Sequence, residues 1–188
     1  ITTGGKNYAL PHPFFVLATQ NPIEQEGTYP LPEAQLDRFM LNIWLDYPSF
    51  EEEVNIVKST TTNFEASVNK IMEAEEILFF QELVRKIPVS DHLLEYAVKL
   101  ATNTRPNQKK SPSFVNDFLS WGAGPRASQF LIIGAKCHAA INGKYSPDIE
   151  DVKAVAEPIL RHRIVRNYKA EAEGYSIEKI IADLVALD

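Results

Sequence analysis

The chain has 188 residues and a mass of 21.2 kDa, the size of one ordinary domain or one and a half small ones. Hydrophobic residues make up 45% and charged residues 23%, a globular balance that excludes disordered and collagen-like classes. Lys plus Arg number 19 against 25 Asp plus Glu, a net charge of −6, which argues against bulk nucleic-acid binding through a basic surface. The lone cysteine, Cys137, cannot form an intrachain disulfide and fits a reducing, cytoplasmic setting. No apolar run reaches membrane-spanning length, and ITTGGKNY lacks the basic start and apolar stretch of a signal peptide. Neither a membrane nor a secreted protein is expected.

In chain order, Gly4-Gly5 between two short polar runs predicts a tight hairpin. FFVLA at 14–18 is continuously apolar and reads as a strand buried on both faces. A loop, EGTYPLP, and a short helical piece at 33–38 separate it from a second strand candidate, FMLNIWL at 39–45. Ser49-x-x-Glu52 is a capping box that opens a helix through about residue 58. Residues 59–70 are polar and turn-rich, a linker.

Everything beyond reads as helical. Ile77, Phe80, Val84 and Ile87 recur at helical spacing, and Ser90 caps a helix whose apolar face holds Leu94, Ala97, Val98 and Ala101. Pro125 suits the first turn of a helix that stops at Asn142-Gly143. Asp148 opens another, with Val152, Val155, Ile159 and Leu160 on one side and Pro158 set to kink or shorten it. A last helix holds Ile177, Ile180, Ile181, Leu184 and Val185. The fold class is α/β followed by all-α. Residues 1–58 form the α/β piece, 59–72 a linker and 73–188 an all-helical domain. Two strands are too few for an open parallel sheet, so the first piece reads as the end of an α/β domain that begins elsewhere.

Several motifs resemble sites without meeting their requirements. Gly4-Gly5-Lys6-Asn7 lacks the spacing and the hydroxyl of a P-loop. NIWLD at 42–46 is followed by Tyr47 rather than a catalytic Glu. His12, His92, His138 and His162 have no metal-ligand spacing with one another or with Cys137, so no metal site is expected. Arg161, Arg163, Arg166 and Lys169 read as a solvated basic face.

Three residues carry chemistry. Asn21 lies just past a strand end, where α/β sheets place their ligands, and its amide can meet a phosphate oxygen and a water. Arg38 follows Leu36-Asp37 and presents a cation at an edge. Arg126 stands in the first turn of a helix, where the dipole disfavours a cation by up to about 1 kcal/mol. A bound anion would satisfy both the arginine and the helix N-terminus; an acidic neighbour is the other way to settle it.

Two stretches, PFFVLATQNPIEQEGTYPLPEAQLDRFML at 13–41 and WGAGPRASQFLIIGAKCHAAINGKYSPDIEDVKAVAEPILRHRI at 121–164, resemble the MoxR-type AAA+ ATPases. The resemblance covers essentially the whole chain. It implies the C-terminal portion of a AAA+ P-loop NTPase core followed by its helical lid. It implies that Asn21 is sensor 1, that Arg38 is an arginine finger offered to the adjacent subunit, and that Arg126 is sensor 2. It further implies ATP and Mg2+ as cofactors and a homo-oligomeric ring, commonly a hexamer. Chaperone-like remodelling or cofactor insertion and a von Willebrand factor A domain partner belong to the same implication. The family's Walker A and Walker B motifs are not in this sequence, so the intact protein is expected to be an ATPase and these 188 residues alone inactive. Two other readings stand beside this one: a non-enzymatic helical interaction module derived from an ATPase, and a magnesium-chelatase or McrB-like relative.

Overall fold

The computed structural model describes residues 2–20, 31–62 and 68–187. Its contacts divide the chain into two compact units, one of Ile1–Phe14 with Ile43–Phe79, the other of Phe15–Asn42 with Phe80–Asp188.

The first unit begins with the expected hairpin. Strand β1 (Thr2–Thr3) pairs antiparallel with β2 (Lys6–Asn7), and Gly4 and Gly5 both take positive φ angles, 55° and 74°. Such a turn excludes most side chains, which is why two glycines sit there. Helix α2 (Phe50–Thr60) opens on the Ser49 capping box. The Glu52 amide donates to Ser49 Oγ, and the Ser49 amide donates to the Glu52 carboxylate.

The two apolar runs at 14–18 and 39–45 do not form strands. A strand exists only within a ladder, and among the described residues none offers these runs a paired edge. Phe15 and Leu17 stand 83% and 82% exposed. The backbone groups of the second run go elsewhere: the Asn42 amide donates to the Pro158 carbonyl at 2.8 Å, and the Phe39 and Met40 carbonyls accept from Arg163.

In the second unit, after the short α1 (Glu33–Leu36), the helices α4 (Asp91–Asn103), α5 (Ser113–Phe118), α6 (Pro125–Ile141), α7 (Ile149–Leu160) and α9 (Ile177–Val185) pack around one core, and α8 (Tyr168–Ala172) packs against α5; α3 (Ala74–Lys86) precedes them. Ala127, Leu131, Gly134 and Ala135 line one face of α6 against Val152, Ala156 and Ile159 of α7. Small residues permit this approach. A Cβ on Gly134 would lie 3.1 Å from side-chain atoms of both Val155 and Ile159. Pro125 stands at the start of α6 and Gly143, at φ 72°, just past its end. Pro158 lies inside α7, which ends two residues later.

Two details differ from the sequence reading. Helix α4 buries Leu93, Ala97, Leu100 and Ala101, while Leu94 and Val98 are 41% and 50% exposed. The helical region also contains a small sheet: β3 (Leu119–Trp121) pairs antiparallel with β4 (Val165–Arg166) through a bulge. Strands this short leave no alternation to detect. The pair ties the chain entering α6 to the chain leaving α7. It therefore holds the N-terminus of α6 beside the C-terminus of α7.

Candidate functional site

The site stands at that end of the helix pair. The loop before α6 is fixed from below by a buried hydroxyl. Thr104 Oγ1 donates to the Ala101 carbonyl at 2.6 Å and accepts the Ala123 amide at 2.8 Å. Arg105 Nε donates to the Ala123 carbonyl at 2.9 Å. Gly122 packs so close that a Cβ would lie 2.4 Å from the Thr104 carbonyl oxygen, so only glycine fits. The start of α6 is thereby set, and Arg126 with it.

Arg126 is half-exposed and donates to Asp37 Oδ2 at 2.5 Å. Asp37 closes α1, and its other oxygen accepts Arg163 Nε at 2.9 Å. One carboxylate thus joins two guanidiniums at the same end of the α6–α7 pair, one at the start of α6 and one just past the end of α7. Of the two ways to settle a cation at this helix start, the acidic neighbour is the one the described residues show.

Arg163 overturns the reading of the basic run as a solvated face: its side chain is 1% exposed. Besides Asp37 Oδ1, it donates to the carbonyls of Asp37 at 2.9 Å, Phe39 at 2.5 Å, Met40 at 3.2 Å and Ile159. Its guanidinium also lies 5.0 Å from the centre of the Phe130 ring, one turn along α6 from Arg126. Burial pushes its pKa down and Asp37 opposes that, and an arginine starting so high stays charged. Neighbouring His162 donates its Nε2 proton to the Phe39 carbonyl at 3.1 Å. Burial, reinforced by the charge of Arg163, pushes its pKa to about 4, so it is neutral near pH 7.

Arg38 stands inside this frame. Its amide donates to the Gln35 carbonyl at 3.1 Å, and its side chain is exposed on the turn that Arg163 grips. No carboxylate among the described residues pairs with it. The cluster therefore sets one carboxylate against three guanidiniums and carries excess positive charge, a surface suited to an anion. Within this cluster, Arg38 and Arg126 are the exposed cations. Asn21 lies outside the described residues.

A model of the ATPase family associated with various cellular activities matches residues 1–41, and the AAA lid domain model matches residues 113–184. The fold and these matches define a AAA+ ATPase segment with its helical lid. Among similar proteins, Chaperone MoxR1 of Mycobacterium tuberculosis is 38% identical over 181 residues, 96% of this chain and 48% of its own length. The uncharacterised protein YeaC of Bacillus subtilis is 33% identical, over 99% of this chain and 56% of its own. The crystal structure of a candidate ATPase from Cytophaga hutchinsonii superposes with a TM-score of 0.88 at 41% identity, covering 99% of this chain and 57% of that one. The chain belongs to the MoxR-type AAA+ ATPases, and it spans about half the length of the relatives it matches.

Proposed function

We propose that the protein carrying this chain is a ring-forming ATPase in which Arg38 acts across a subunit boundary. Arg38 is the arginine finger, Arg126 is sensor 2 and Asn21 is sensor 1. The observation that supports this most is the contrast between the two described arginines. Arg126 is engaged by a carboxylate, whereas Arg38 is exposed and unpaired among the described residues, on a turn locked from behind. A cation held out at fixed geometry stabilises charge that develops in a transferring phosphoryl group, and such fingers are worth about 10³–10⁵ in rate. ATP and Mg2+ are the cofactors of this reading; the chain holds phosphate-reaching cations but no Walker motif, so it supplies the finger and the sensors. The linear organisation, with the core segment at residues 1–58, the linker at 59–72 and the lid at 73–188, belongs to the same proposal. So do a hexameric ring, a cytoplasmic location, a von Willebrand factor A domain partner and a chaperone-like or cofactor-insertion role. No helix among the described residues is long and apolar enough to cross a membrane.

The test is subunit mixing with the full-length protein. Arg38→Ala should bind nucleotide nearly normally and lose hydrolysis. Mixed with a Walker B variant, it should regain some of the activity, because some interfaces then hold one intact half from each. Mixed rings that form but stay inactive would show that Arg38 does not act in trans.

A further inference from the structure

The geometry points to Arg163 as the positioning residue of Arg38. The inference rests on the finger reading and adds what makes the finger work. Arg163 donates to the carbonyls of Asp37, Phe39 and Met40, the residue before Arg38 and the two after it, and to the Asp37 side chain. A turn gripped on both sides of one residue leaves that residue little freedom to tilt. With the backbone so held, the exposed side chain of Arg38 starts from a single place.

Stability alone gives a poor reason for an arginine here. Burying a charged pair is costly, and a well-packed apolar side chain of similar volume often serves stability equally well or better. What an apolar side chain cannot do is hold several separate acceptors in one plane. Five N–H groups in a rigid fork can, and a lysine ammonium cannot match them. Phe130 and the Ile159 carbonyl hold the other side of the guanidinium, so α6 and α7 are the anvil against which the turn is fixed. Misplacing a reacting group by about 1 Å can cost about 10²-fold in rate.

The experiment measures steady-state hydrolysis and melting of the full-length protein with Arg163→Lys, Arg38→Ala and the double variant. Arg163→Lys should lower kcat by about 10- to 100-fold, while KM for ATP stays within about twofold. The double variant should be no slower than Arg38→Ala alone, because Arg163 acts through Arg38. A purely structural role would instead make the two losses multiply, and that result, or an unchanged kcat in Arg163→Lys, overturns the assignment. If Arg163→Lys no longer melts cooperatively, Arg163→Met, which fits an apolar environment, takes its place under the same criterion. Normal hydrolysis in Arg38→Ala would remove the finger reading itself and this inference with it. An Arg38→Ala loss with an unaffected Arg163 variant removes only the inference.

Discussion

Arg126 and Asp37, 89 residues apart in sequence, meet at 2.5 Å, and the carboxylate that holds Arg126 also holds the buried Arg163. A cation at the start of a helix is thus steadied by a side chain rather than by the helix itself. Any phosphate that reaches Arg126 must compete with that carboxylate or share the guanidinium with it.

Because the pair is partly exposed, 43% on the arginine side, it is worth at most about 1 kcal/mol. Arg126→Ala should therefore melt within a few degrees of the parent in the absence of nucleotide. It should bind ATP more weakly, and nucleotide should raise its melting temperature less. A large loss of stability without nucleotide would mean that Arg126 serves the fold alone.

Gly122→Ala should destabilise the protein by about 1–3 kcal/mol or more, since the added Cβ would meet backbone atoms of Thr104 and Arg105 rather than a side chain that can turn away. For a chain of this size each kcal/mol lowers Tm by roughly 2–4 °C. A calorimetric scan of the variant reads this directly.

Thr104→Val keeps the shape of the side chain and removes the hydroxyl. The Ala123 amide then has no acceptor in a fully buried position, at a cost of about 1–3 kcal/mol. Thr104→Ser should recover most of the loss, and denaturant titration of both variants would show whether it does.

Two groups, the buried Asp151 and the half-buried His162, make stability fall with acid. Burial alone would raise the Asp151 carboxyl, but the Asp148 amide, His138 and Lys144 outweigh it and hold it at about 2, below its ordinary 3.8. The folded pKa is the lower one, so the contribution is complete above 3.8 and is lost as pH falls through about 2. It amounts to about 2 kcal/mol. His162 is depressed from 6.5 to about 4, so below 6.5 the unfolded chain takes up a proton that the folded chain refuses. Stability should thus decline between 6.5 and about 4, and His162→Gln should flatten the profile in that window. A variant profile that parallels the parent there would dismiss the histidine as the cause.

The elements with local signals are legible from sequence. The Ser49–Glu52 box, the Gly4-Gly5 turn and the Pro125 to Asn142-Gly143 span all appear where their residue chemistry places them, because caps and tight turns depend on a few neighbouring residues. The runs at 14–18 and 39–45 mislead because strand formation depends on a partner, which apolar content does not supply. Arg163 misleads where charge is weighed above position. It follows Val152, Ala156 and Ile159 at helical spacing and so continues the buried stripe of α7. That spacing is the available signal. On the site itself, the sequence singles out Arg38 and Arg126 but gives no sign that Asp37 joins Arg126 to Arg163, because that contact is tertiary.

Asn42 lies in irregular chain, where amides ordinarily trade their protons with water quickly. Its N–H instead donates to the carbonyl of Pro158, in the last turn of α7. Deuterium uptake at this single amide should then follow the opening of that helix end and not the flicker of a loop. Asn42 becomes a reporter, outside any helix or strand, on how often the stretch bearing Arg38 comes loose from the lid.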